Sequence, residues 1–193
     1  MKINIPITKA VLGDEDKLAI GKTLDTGWIV QGPNVAKFQE LFSEFTKSKY
    51  AHATTSCTTA LHVGLEALGI KAGDKVIVPS FTWISSANAV EYTGAEVVFC
   101  DISLKTFNID ETKLQTIIEN DKSIKGIMPV NLFGLCANMP AIMELAKKFN
   151  LKVIEDSACG FDSWIGEKHS GTFGNCGCFS FHPRKVITTG EGG

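Results

Sequence analysis

Residues 139–156 read MPAIMELAKKFNLKVIED, and the reading of this stretch decides the fold. Ile142, Leu145, Ala146 and Phe149 recur at steps of three and four, so they share one face of a helix over Met139–Phe149. Lys152–Glu155 then reads as a short buried strand, with Val153 and Ile154 followed by two carboxylates. The same unit recurs upstream. Strand-like runs cover Lys75–Pro79, Glu96–Cys100 and Ile124–Val130, and helical patterns lie between them near Ser85–Tyr92 and Asp110–Asn120. Leu61, Leu65 and Leu68 mark an earlier helix that Gly69 ends. Val35, Phe38, Leu41, Phe42 and Phe45 mark another after Pro33, a residue suited to a first helical turn. Strands alternating with helices predict an α/β fold with a mostly parallel sheet covered on both faces. Ligands of such sheets bind outside the carboxyl ends of the strands. The first fifty residues are less regular and are expected to pack across the domain or to reach a partner.

Composition narrows the function classes. At 193 residues and 44% hydrophobic, the chain can bury a substantial core. A net charge of -2 gives no basic footprint for nucleic acid. The apolar runs are too short to span a bilayer, and the opening Met1–Pro6 lacks the apolar stretch of a signal peptide, so a cytoplasmic location is expected. Of the six cysteines only Cys176 and Cys178 are close, two positions apart, which is not the spacing of zinc or redox pairs. Reduced thiols and no metal are expected. The last four residues, Gly190–Gly193, read as a loop after an apolar, strand-like run. The expectation is an N-terminal portion of a longer protein.

Four stretches carry candidate chemistry. Glu155 and Asp156 close the fourth strand. One of them should face the crevice, where a carboxylate pairs with a cationic ring nitrogen and favours its protonated form; the alternative is a helix cap or a solvated strand end. Lys185 follows Phe179-Ser180-Phe181-His182-Pro183-Arg184. In a polar crevice such a lysine forms a Schiff base with an aldehyde, whereas most lysines are surface charges. Ser180 is placed to hydrogen-bond a phosphate. Thr54–Ala60 is rich in hydroxyls and runs into a helix, so free amides and hydroxyls make an anion site there, or simply an N-cap. Trp83 follows a strand and either stacks on a flat ring or packs in the core. Anion site, stacking surface, carboxylate and amine together are what one ligand needs, pyridoxal phosphate.

With those residues assembled, the chain resembles the DegT/DnrJ/EryC1/StrS family of sugar aminotransferases. The resemblance runs along essentially the whole chain. It includes Gly27-Trp28-Ile29-Val30-Gln31-Gly32-Pro33, Pro79–Trp83, Ile154–Asp156 and Ser180–Lys185, and it ends on Thr188-Thr189-Gly190-Glu191-Gly192-Gly193. It implies the large domain of an aspartate-aminotransferase-like (fold type I) protein, with 1–30 as an N-terminal segment, 31–193 as the cofactor-binding core and the C-terminal small domain absent. It implies that Lys185 carries the cofactor and moves protons, that Asp156 binds the ring nitrogen, and that Thr58, Thr59 and Ser180 hold the phosphate. Trp83 would stack on the ring and Trp28 would lie near substrate. Cys159 stands where many members carry Gln or His against the ring hydroxyl. The implied reaction passes an amino group from a donor, expected to be glutamate, to a keto group of a nucleotide-linked sugar. The implied assembly is a homodimer whose partner subunit contributes to each site. Two rivals share the fold: a sugar dehydratase with histidine in place of the lysine, and a truncated or regulatory protein without catalysis. A dinucleotide-binding oxidoreductase is disfavoured because no Gly-x-Gly-x-x-Gly follows a strand.

Overall fold

The computed structural model describes residue 6 and residues 8–193; Met1–Ile5 and Ile7, part of the expected N-terminal segment, lie outside the described residues. The helices are α1 (Asp14–Asp25), α2 (Pro33–Thr46), α3 (Cys57–Ala67), α4 (Ser85–Tyr92), α5 (Glu111–Asn120) and α6 (Met139–Phe149). The strands are β1 (Lys75–Pro79), β2 (Glu96–Cys100), β3 (Ile124–Ile127), β4 (Lys152–Asp156), the short pair β5 (Trp164–Ile165) and β6 (Lys168–His169), and β7 (Cys176–Cys178). Five of them form one sheet in the order β2-β1-β3-β4-β7, and every neighbouring pair is parallel.

The alternation of side chains along a strand assigns the helices to the two faces. Val76 and Val78 of β1 pack with Leu61 and Leu65 of α3 and with Ala89 and Val90 of α4. Ile77, between them, joins the opposite cluster with Leu114 and Ile118 of α5 and Met139, Ile142 and Ala146 of α6. Local signals set the helix ends. The Ser56 hydroxyl accepts the Thr59 amide at 3.2 Å and starts α3. The Asp110 carboxylate accepts the Thr112 and Lys113 amides at 3.0 Å and starts α5. Asn150, in the left-handed region at φ 54, ends α6.

Several elements depart from the sequence expectations. β3 stops at Ile127, three residues early, although Val130 still bridges to Asp156 in parallel register. β7 was not anticipated: it is three residues long and has a glycine at its centre. The apolar run before the terminal loop is not a strand. Lys185 N donates to His182 O at 2.9 Å, and Thr189 N donates to Phe181 O at 3.1 Å, so the chain turns there instead. Val186 stays exposed, with no sheet to bury it. Among the described residues, the first fifty positions hold two helices. α1 buries none of its residues, whereas α2 lays Phe42 against Phe179 at 5.0 Å and Phe38 against Phe181 at 5.1 Å. Among the described residues, no helix is long and apolar enough to cross a membrane.

Candidate active site

The two carboxylates that close β4 face opposite ways, as strand geometry requires. Glu155 is fully buried. Its Oε1 accepts the amides of Phe173 and Gly174 at 2.7 Å, and its Oε2 accepts the Gly171 amide at 2.7 Å and Asn131 Nδ2 at 3.3 Å. Burial pushes the Glu155 carboxyl up, and these donors oppose it. Glu155 therefore holds the 171–174 loop and is spent on structure.

Asp156 faces a cavity of about 490 Å³ at the carboxyl edge of the sheet. Its Oδ2 accepts Ser86 Oγ at 2.6 Å, and its Oδ1 accepts the Ala158 amide at 3.1 Å. Burial raises its carboxyl above the ordinary range, while Ser86, the Ala158 amide and the Lys185 charge pull it down. Lys185 lines the same cavity, with Nζ 3.2 Å from Cys159 Sγ. A Pro-Arg turn after His182 brings it there, closed by the Lys185 amide on His182 O at 2.9 Å. The first turn of α3 supplies Cys57 and Thr58 to the wall, Ser180 comes from the segment after β7, and Trp83 comes from the loop after β1. Thr58 Oγ1 donates to Ser85 Oγ at 2.9 Å, which ties the starts of α3 and α4 together.

Five of the residues singled out in the sequence thus share one cavity: Thr58, Trp83, Asp156, Ser180 and Lys185. Cys159 meets it through Lys185. The Thr59 hydroxyl instead lies 3.0 Å from Ser56 Oγ and 3.1 Å from Thr55 Oγ1, and Trp28 is exposed with Nε1 on Gln31 O at 2.7 Å. Sequence reasoning missed Ser85, Ser86, Cys57, His182 and Arg184 as wall or support. The burial of Cys57, and then the Asp156 charge, push its thiol well up, so it stays an uncharged neighbour.

Residues 11–193 match the model of the DegT/DnrJ/EryC1/StrS aminotransferase family. The chain belongs to that family. A GDP-perosamine synthase of Caulobacter vibrioides is 46% identical over 171 residues, which is 88% of this chain and 46% of that protein. The fold of an aminotransferase from Psychrobacter cryohalolentis superposes at a TM-score of 0.88 with 36% identity, over 97% of this chain and 48% of that one. The GDP-4-keto-6-deoxy-D-mannose-3-dehydratase of E. coli, solved with bound hydrated PLP, superposes at 0.93 with 31% identity, over 98% of this chain and 50% of that one. The chain spans about half the length of the relatives it matches. The wall fits pyridoxal phosphate, the group bound in that dehydratase. A helix start with free amides and hydroxyls suits a phosphate, an indole suits a flat ring, and a carboxylate and an amine complete the set.

Proposed function

We propose that this chain is the cofactor-binding large-domain portion of a pyridoxal-phosphate-dependent aminotransferase acting on a nucleotide-linked keto-sugar. The observation that carries the reading is the convergence of Lys185 Nζ, the Asp156 carboxylate and the α3 N-terminus on one cavity. When bound, the cofactor supplies an electron sink for breaking a C–H bond beside nitrogen. Lys185 would hold the cofactor through Nζ, and as a free amine would carry a proton between carbons. Asp156 keeps a proton on the ring nitrogen. Thr58 and Ser180 with the first amides of α3 would take the phosphate, and Trp83 would cover the ring. Cys159 Sγ accepts from Lys185 Nζ at 3.2 Å and would face the ring hydroxyl. Trp28 lies toward the sugar.

The relatives called GDP-perosamine synthase make a GDP-linked keto-sugar the first acceptor to try, with glutamate, the donor the resemblance implies, beside it. The dehydratase neighbour supports a second reading on fold alone. It loses ground at position 185, where the resemblance gives dehydratases a histidine and this chain has lysine. A homodimer in the cytoplasm, with a partner subunit completing each site, is the assembly proposed. Borohydride reduction of the cofactor-loaded protein followed by peptide mapping tests the reading at its base. A pyridoxyl group on Lys185 is expected; the label on another lysine, with Lys185 unmodified, contradicts it.

A further inference from the structure

Asp156 does not stand alone at the end of β4. Ser86, in the first turn of α4 and 70 positions away in sequence, is completely buried and puts Oγ 2.6 Å from Asp156 Oδ2. Thr82 Oγ1 lies 2.9 Å from the same Ser86 Oγ. The proton directions follow from the inventory of donors. An ionised carboxylate can only accept, so the single Ser86 proton goes to Asp156, and Thr82 must then donate to Ser86. The Ser86 amide in turn donates to Trp83 O at 3.1 Å. One serine therefore joins the carboxylate to the loop that carries the cavity's indole.

We propose that Ser86 is a positioning residue for the reaction: through the chain Thr82–Ser86–Asp156 it holds the Asp156 carboxylate ionised and aimed at the cofactor ring nitrogen. The inference rests on the reading of Asp156 as the partner of that nitrogen. Burial makes the charged form of a carboxylate costly, and a short hydrogen bond from a neutral hydroxyl is a strong way to stabilise it without cancelling its charge. A lysine or arginine in Ser86's place would also stabilise the carboxylate, but its positive charge would repel the protonated ring. A hydroxyl avoids that conflict. The other titratable groups that bear on Asp156 are Lys185, Cys57 and Cys178, and none of them shares the hydrogen bonds of Ser86 Oγ.

The test uses the proposed longer, dimeric holoprotein, loaded with cofactor whose ring nitrogen is isotopically labelled, so that the nitrogen chemical shift reports its protonation. Ser86→Ala, Thr82→Val and Asp156→Asn are titrated beside the unaltered protein. With Ser86→Ala the ring proton should be held about tenfold less tightly, the worth of one hydrogen bond to a charged group. Thr82→Val should shift it the same way by less, and kcat should fall with KM little changed. If Ser86→Ala does not fold, Thr82→Val decides. Unaltered ring protonation in the folded serine and threonine variants, while Asp156→Asn loses it, overturns the role of Ser86 and leaves that of Asp156 standing. Unaltered protonation in Asp156→Asn itself overturns the reading of Asp156, and the inference with it.

Discussion

Burial raises the Asp156 carboxyl, and Ser86, the Ala158 amide and Lys185 only partly offset it. A carboxyl whose folded pKa is raised binds its proton more tightly in the folded state. Its contribution favours folding at low pH, and that contribution is lost as pH rises from the unfolded value through the folded one. Asp156 therefore destabilises the cofactor-free protein at neutral pH. Asn at this position can still accept from the Ala158 amide with its oxygen and donate to Ser86 with its nitrogen. Cofactor-free Asp156→Asn should accordingly melt higher at pH 7, by roughly 2–4 °C if the gain is about 1 kcal/mol. The gain should vanish as pH falls toward the ordinary carboxylate range, and calorimetry across that range checks it. In the holoprotein the same change should keep cofactor yet lose turnover on the order of hundredfold, because a neutral amide cannot hold a proton on the ring. Near-normal turnover would refute the role. Asp156 was legible in the sequence because a buried run ended in two carboxylates, although the run did not say which one faces the cavity. Ser86 was not legible. A serine in a first helical turn reads as helix punctuation, and no periodicity reveals a partner 70 residues away.

Among the elements, β4 and its loop show what Glu155 is for. One buried carboxylate collects three backbone amides from Gly171, Phe173 and Gly174, and this seats the segment that leads into β7. Glu155→Gln keeps the volume but turns one oxygen into a donor facing a donor. The expected cost is about 2–3 kcal/mol of stability, read in a denaturant titration, with the Asp156 side of the sheet unchanged. An unshifted midpoint would show that the loop is held some other way. The elements legible in sequence were those with long apolar periods, α6 and β4 above all, because burial on one face writes a period into the residues. β7 was invisible because Cys176-Gly177-Cys178 is short and carries no branched apolar residue. The glycine at its centre has a reason: a Cβ there would run into the Gly171 carbonyl oxygen. α1 was invisible because it buries nothing, so nothing imposes a pattern on it.

For the whole molecule, the chain covers about half of its relatives' length, and several apolar side chains stay exposed, Trp83 on the cavity wall and Phe133 and Val186 elsewhere among them. Patches of this kind mark surfaces meant to be covered. Residues 1–193 expressed alone should bind pyridoxal phosphate weakly and fail to transaminate. Joined to the downstream sequence that the proposed longer aminotransferase would have, the protein should form a homodimer and become active. Cofactor titration and sedimentation on both forms make the comparison, and a monomeric, fully active 193-residue protein would contradict it. The central claim is that an amino group reaches a sugar by way of a cofactor held on Lys185. The most direct measurement supplies the dimeric protein with isotope-labelled glutamate and a GDP-linked keto-sugar and follows the label by mass spectrometry. The expected result is labelled nitrogen in the sugar product, abolished by Lys185→Ala; a deoxygenated sugar without labelled nitrogen, or label transfer that survives Lys185→Ala, would contradict it.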